Sequence, residues 1–155
     1  MLGSLTTFLS AALAVSASNC VRAAEPTPPP LSFLYSVKLL MPPTVELGSV
    51  PYGSRGIIPI NGGTFSGPKL NGTVGIGLDW GLTDNKGTFS PDAVYVLNTH
   101  DNATIMVTEK GHAPHVQILF ETGSSKYAWL NNIVAYASGA PFEGGVALDV
   151  WQIGA

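Results

Sequence analysis

The sequence predicts an all-β fold: a single closed antiparallel β-barrel of about eight to ten short strands, with at most one helical turn. Three observations lead there. Eighteen glycines and twelve prolines in 155 residues interrupt the chain too often for long helices. Apolar residues make up 45% of the chain, which excludes a disordered one. From Gly62 to Trp80 a glycine falls at least every five residues with apolar residues between, a pattern suited to strands that bend, bulge and approach one another closely. The length fits one domain of ordinary size, and closure removes the edges that a sheet of short strands otherwise exposes.

The elements follow in chain order. Residues 1–24 read as a secretory signal peptide: Phe8 to Val15 is an apolar run too short to span a bilayer, and Val15-Ser16-Ala17 or Val21-Arg22-Ala23 offers the small residues of a cleavage site. Cleavage after Ala23 or Ala24 removes Cys20, so the mature chain has no disulfide, thiol nucleophile or thiolate metal site. Residues 25–30, Glu-Pro-Thr-Pro-Pro-Pro, form a proline-rich spacer, and residues 31–155 are the barrel. From Leu31 to Leu40 the residues Leu31, Phe33, Tyr35, Val37 and Leu39 share one face, a period-two strand that Met41-Pro42-Pro43 stops. An extended piece over Thr44–Leu47 and a turn over Gly48–Gly53 lead to a strand over Arg55–Ile60. Ser66-Gly67-Pro68 marks a hairpin tip whose return strand is Leu70–Ile76. Val94 to Lys110 has no 3.6-residue stripe, and His100-Asp101-Asn102-Ala103 divides it into a two-stranded hairpin. Val116–Phe120 is a strand, Ser124–Asn132 holds one or two helical turns capped by Ser124 or Ser125, and Ile133–Ala137 and Val146–Ile153 end the series.

Charge and motifs exclude several functions. Only 11% of residues are charged and the net charge is −3, which leaves no basic footprint for nucleic acid or an anionic membrane. Gly75 to Gly81 is not a dinucleotide loop, because its third glycine comes one place late and no helix follows. Gly63-Thr64-Phe65-Ser66-Gly67 carries its serine in the wrong register for a hydrolase elbow. His112 and His115 flank Pro114 without a third ligand and read as surface histidines rather than a metal site. Asn71-Gly72-Thr73 and Asn102-Ala103-Thr104 are glycosylation sequons at predicted turns, meaningful if the chain is secreted from a eukaryote.

Several segments, taken in order, resemble one known pattern: Arg55–Ile60, Gly62-Gly63-Thr64-Phe65-Ser66-Gly67-Pro68-Lys69-Leu70, Leu78-Asp79-Trp80, Asp92-Ala93-Val94-Tyr95, the Thr99–Ile105 turn and Tyr127-Ala128-Trp129-Leu130-Asn131-Asn132. The pattern is that of domain-of-unknown-function family 3237, and the likeness runs from Leu31 to Ile153. It departs at Val74–Leu78, where the family has a proline and paired glycines before Ala-Asp-Trp, and at Asp101-Asn102, where the family has Asp-Gly. The resemblance implies an antiparallel β-barrel. For a fungal member it also implies a role in natural-product biosynthesis, as a cofactor-free cyclase of the hetero-Diels–Alder kind or a catalyst of the dehydration that prepares such a step.

On that expectation the substrate is an apolar small molecule, and no metal or cofactor takes part. Asp79 is the expected general acid, desolvated by Trp80, with Glu121 a second acid. Arg55 or Tyr95 polarises a carbonyl oxygen. Tyr127, Trp129 and Asn131 either wall an apolar ligand pocket or fill the core at one barrel end. The same features also fit a non-catalytic secreted barrel that binds or carries an apolar metabolite.

Overall fold

A computed structural model describes residues 25–154; the expected signal peptide lies outside the described residues. Among these residues twelve strands are present: β1 (Leu31–Leu40), β2 (Val45–Val50), β3 (Gly53–Asn61), β4 (Gly63–Ser66), β5 (Asn71–Asp79), β6 (Leu82–Thr83), β7 (Phe89–Ser90), β8 (Asp92–Thr99), β9 (Thr104–His112), β10 (His115–Glu121), β11 (Val134–Phe142) and β12 (Gly145–Ile153). Eight of them close an antiparallel ring in the order β1-β12-β11-β10-β9-β8-β5-β4, with β4 returning to β1. Among the described residues the one helical element is a 3-10 turn, Ala128–Asn132. It lacks the expected serine cap: Tyr127 occupies the N-cap position without a side-chain capping hydrogen bond, and Ser124 contributes only its carbonyl, which accepts from the Tyr127 N–H.

Two pairs of strands are continuous lines. Ile58 pairs with Asp79 and Thr64 with Thr73, so β3 and β4 keep one register against β5 across the break at Gly62. Likewise Lys38 pairs with Thr64 and Val45 with Ile57, so β1 and β2 keep one register against the β3–β4 line across Met41–Thr44. Gly63 makes the close approach possible: its φ is +125°, and a Cβ there would stand 1.8 Å from the Lys38 carbonyl oxygen. The long hairpin therefore overshoots the ring. Its outer half, β2 with the start of β3, carries β6 and β7 as a small second sheet beside one barrel mouth. Sequence alone had placed neither β6 nor β7, and had begun the β2–β3 turn at Gly48, whereas β2 runs on to Val50.

Strand alternation fills the barrel. Val37 and Leu39, Tyr95 and Leu97, Ile105 and Val107, Ala135 and Ala137 all point inward, as do Ile118 and Val150. The expected face of β1 holds only from Tyr35 onward. A register shift between Phe33 and Tyr35 turns Leu31 and Phe33 outward and buries Leu34 beside Tyr35, which is what one extra residue does to a period-two pattern.

Candidate active site

One barrel mouth opens into an apolar cavity of about 380 Å³. Its lining includes Ala113 and Pro114 of the turn after β9, Pro141 near the end of β11 and Phe89 of the small sheet, together with Leu148 and Val116. Two ionisable residues line it, Asp79 and Glu109. They are placed by the ladder: Asp79 pairs with Ala93, and Ala93 pairs with Glu109. Three neighbouring strands thus present carboxyl, methyl and carboxyl toward the same space, and the small Ala93 between them leaves the two acids room.

Both carboxyls are held away from water. Asp79 is 3% exposed and Glu109 6%. Burial pushes the Asp79 pKa above the usual carboxylate range; the Asp92 N–H, donating to Asp79 Oδ1 at 2.9 Å, pulls it back. Glu109 is pushed up to about 7, first by burial and then by the negative charge of Asp79, while the Tyr95 hydroxyl opposes both. A carboxyl raised to about 7 keeps its proton in a large share of molecules near neutral pH, here beside a second buried carboxyl.

The other expected site residues are scattered. Trp80 is 44% exposed on the outer face, because successive residues of an extended chain point to opposite sides. The barrel interior, not Trp80, desolvates Asp79. Arg55 stands on the outer part of the long hairpin and donates from Nη1 to the Trp80 carbonyl at 2.6 Å, so it braces the chain behind Asp79. Tyr95 is fully buried one layer below Ala93. Glu121, the expected second acid, is exposed on the outer face of β10, at the end remote from the cavity.

Tyr127, Trp129 and Asn131 lie at that far end as well. Along β9 the step from Thr104 to Glu109 is roughly 17 Å at 3.4 Å per residue. The Tyr127 hydroxyl donates to Asp101 Oδ1 at 3.0 Å, Asn131 exchanges hydrogen bonds with the Thr122 backbone, and Lys69 sits over the Trp129 ring at 5.4 Å. The cluster plugs the barrel end opposite the cavity. His112 and His115 are exposed, with Nδ1 hydrogen-bonded to Ser90 and to Tyr136 respectively. Among the described residues no three His, Cys, Asp or Glu side chains gather as a metal site.

Glu109 escaped sequence analysis. Within Thr-Glu-Lys it reads as one member of a charged, solvated stretch; its alternation with Val107 and Ile105 was the available signal, since that period carries position 109 to the inner face.

The comparisons with known proteins agree with this architecture. The chain is 36% identical over 143 residues to a Penicillium herquei protein named hydroalkoxylation enzyme phnH, covering 92% of this chain and 93% of that one. It matches the crystal structure of an enzyme from Penicillium herquei with a TM-score of 0.79 at 36% identity, over 85% of this chain and 99% of that one. A β-barrel-like protein from Acinetobacter baumannii matches with a TM-score of 0.78 at 33% identity, over 83% and 98%. The family described as "Protein of unknown function (DUF3237)" matches residues 29–115. With a closed barrel, a family pattern over more than half its length and relatives matched nearly end to end, the chain belongs to the DUF3237 family.

Proposed function

We propose that this protein is a cofactor-independent cyclase of natural-product biosynthesis, closing an oxygen ring by adding a hydroxyl across a carbon–carbon double bond of an apolar substrate in the barrel mouth. The supporting observation is the pair of buried carboxyls, Asp79 and Glu109, in one apolar cavity. A purely pericyclic closure needs no proton donor, and two acids lining its pocket would be a desolvation cost without return. Addition of O–H across C=C needs both an acid and a base. The name of the Penicillium herquei relative supports the same reaction class.

In this scheme Glu109 is the acid and Asp79 the base, because the Asp92 N–H favours the charged form of Asp79 and that charge keeps the proton on Glu109. The substrate hydroxyl passes its proton to Asp79 as its oxygen bonds to one alkene carbon. Glu109 delivers its proton to the other carbon, so one C–O and one C–H bond form as the π bond and the O–H bond break. Return of the proton from Asp79 to Glu109, directly or through solvent, resets the pair. The apolar walls hold the hydroxyl against the alkene in a reactive pose.

Turnover in D₂O separates the possible chemistries. Hydroalkoxylation places one solvent-derived deuterium on carbon in each product molecule. A cyclised product without carbon-bound deuterium overturns the proton-transfer scheme in favour of cycloaddition, and tight binding of apolar hydroxy-alkenes with no conversion overturns the enzyme in favour of a carrier. Export and glycosylation belong to the same proposal: Asn71 and Asn102 are both exposed, Asn102 in the β8–β9 turn. Intact mass of protein from its native host is expected to lack residues 1–24 and to show hexose ladders; a full-length, unmodified intracellular product overturns both.

A further inference from the structure

Among the described residues, three buried polar atoms stand without hydrogen-bond partners inside the barrel, one at the cavity and two beyond its lining: Oε2 of Glu109 and the hydroxyls of Tyr95 and Tyr35. An orphaned polar atom in a barrel core is costly, and three together are not a chance of packing. The fold brings them there from three strands. Glu109 and Tyr95 are same-face neighbours across the β8–β9 ladder, in which Tyr95 pairs with Val107 and Ala93 with Glu109. Tyr35 enters from β1, its ring edge-on to Phe65 and Phe120. The three are close enough to perturb one another's ionisation, and neither tyrosine lines the cavity, so neither reaches a substrate held there. The titratable groups facing Glu109 are thus Asp79 from β5, Tyr95 from β8 and Tyr35 from β1.

Both phenols stay protonated, since burial drives their ionisation far above the working range of the protein. A protonated phenol can accept from a neutral carboxyl, but toward an ionised one it can only donate. We propose that Tyr95, backed by Tyr35, is a positioning residue that donates its hydroxyl to Glu109 when that carboxyl has given up its proton, stabilising the charge left in the barrel. The inference rests on Glu109 being the proton donor of the proposed reaction. Such a contact is slack while Glu109 is neutral and tightens as charge develops, the condition under which a hydrogen bond lowers a barrier instead of merely holding a ground state.

The test needs no substrate. The Glu109 carboxyl is titrated by carbon-13 NMR in the intact protein, assigned by its absence in Glu109→Gln, and compared in Tyr95→Phe and Tyr35→Phe. Loss of the Tyr95 donor is expected to raise the midpoint by about one pH unit, and loss of the Tyr35 hydroxyl to raise it less. Tyrosine ultraviolet absorption is expected to change across the same midpoint in the parent and to stay flat in Tyr95→Phe. An unmoved Glu109 midpoint in Tyr95→Phe overturns the inference, as does an equal shift in the two phenylalanine variants. These outcomes do not depend on turnover, so a failure of the cyclase proposal in D₂O is distinguishable from a failure here.

Discussion

At the residue scale the decisive fact is that Asp79 and Glu109 share a dry space. Asp79→Asn removes the proposed base without changing size, so the variant is expected to fold and to bind substrate while turnover falls by about 10². Melting temperature, ligand binding and product formation on this one protein check it; full turnover in a stable variant excludes the role. Glu109 adds a pH signature. Its pKa of about 7 in the folded state lies above the unfolded value, so between about pH 4.5 and 7 the native state binds the extra proton. Stability therefore falls as pH rises through that window, by about 3 kcal/mol in full. Asp101, held below the ordinary carboxylate range by Lys126 and Thr99, acts with the opposite sign and only in more acidic solution. Thermal melts at pH 5 and pH 8 are expected to favour pH 5 in the parent, and the gap is expected to narrow in Glu109→Gln.

At the element scale, position on a ladder outweighs adjacency in sequence. Asp79 and Trp80 are neighbours in the chain and face opposite sides of the sheet; Asp79 and Glu109 are thirty residues apart and face the same cavity. Glycine makes the deeper layer possible. Gly77 pairs with Tyr95, and a Cβ at Gly77 would lie 2.3 Å from the Tyr95 Cβ. Gly77→Ala is expected to cost about 1–3 kcal/mol of stability by forcing β5 from β8 and, in the same variant, to shift the Glu109 titration midpoint by moving Tyr95. A destabilised variant with an unchanged midpoint would separate the strand contact from the carboxyl it supports. Most elements were legible from alternation and punctuation: the hairpin tip at Ser66-Gly67-Pro68 and the strands on either side of His100–Ala103 stand where those signals put them, while the return strand expected over Leu70–Ile76 runs from Asn71 to Asp79 and the helical turn expected within Ser124–Asn132 is confined to Ala128–Asn132, without its serine cap. The bulge in β1 was not legible, since a one-residue slip is set by the partner strand and leaves composition untouched.

At the scale of the whole molecule the barrel has one open, chemically equipped end and one plugged end. The proposed chemistry sits at the mouth, and the plug around Leu130 and Tyr127 is expected to serve stability. Leu130→Ala is expected to lower stability by about 2–5 kcal/mol, since Leu130 is fully buried, with turnover per folded molecule unchanged. Chemical denaturation together with an activity assay corrected for folded fraction checks both halves; a matching loss of turnover per folded molecule would place the aromatic cluster in the site after all.

The sequence by itself determined the fold class and most turn positions, because glycine and proline punctuation and period-two alternation are local properties written into short windows; it offered Asp79 as a candidate only through its adjacency to Trp80, which faces the other side of the sheet. The partner of Asp79 was decided only by tertiary structure. Whether a carboxyl within Thr108-Glu109-Lys110 meets water or a dry cavity depends on which strand lies beside it and which way the sheet curls shut. The same closure sent Trp80 and Glu121 outside and gathered Tyr35, Tyr95 and Glu109 within. Barrel closure joins strands distant along the chain, and burial, the largest cause of the raised Glu109 pKa, exists only once the ring is complete.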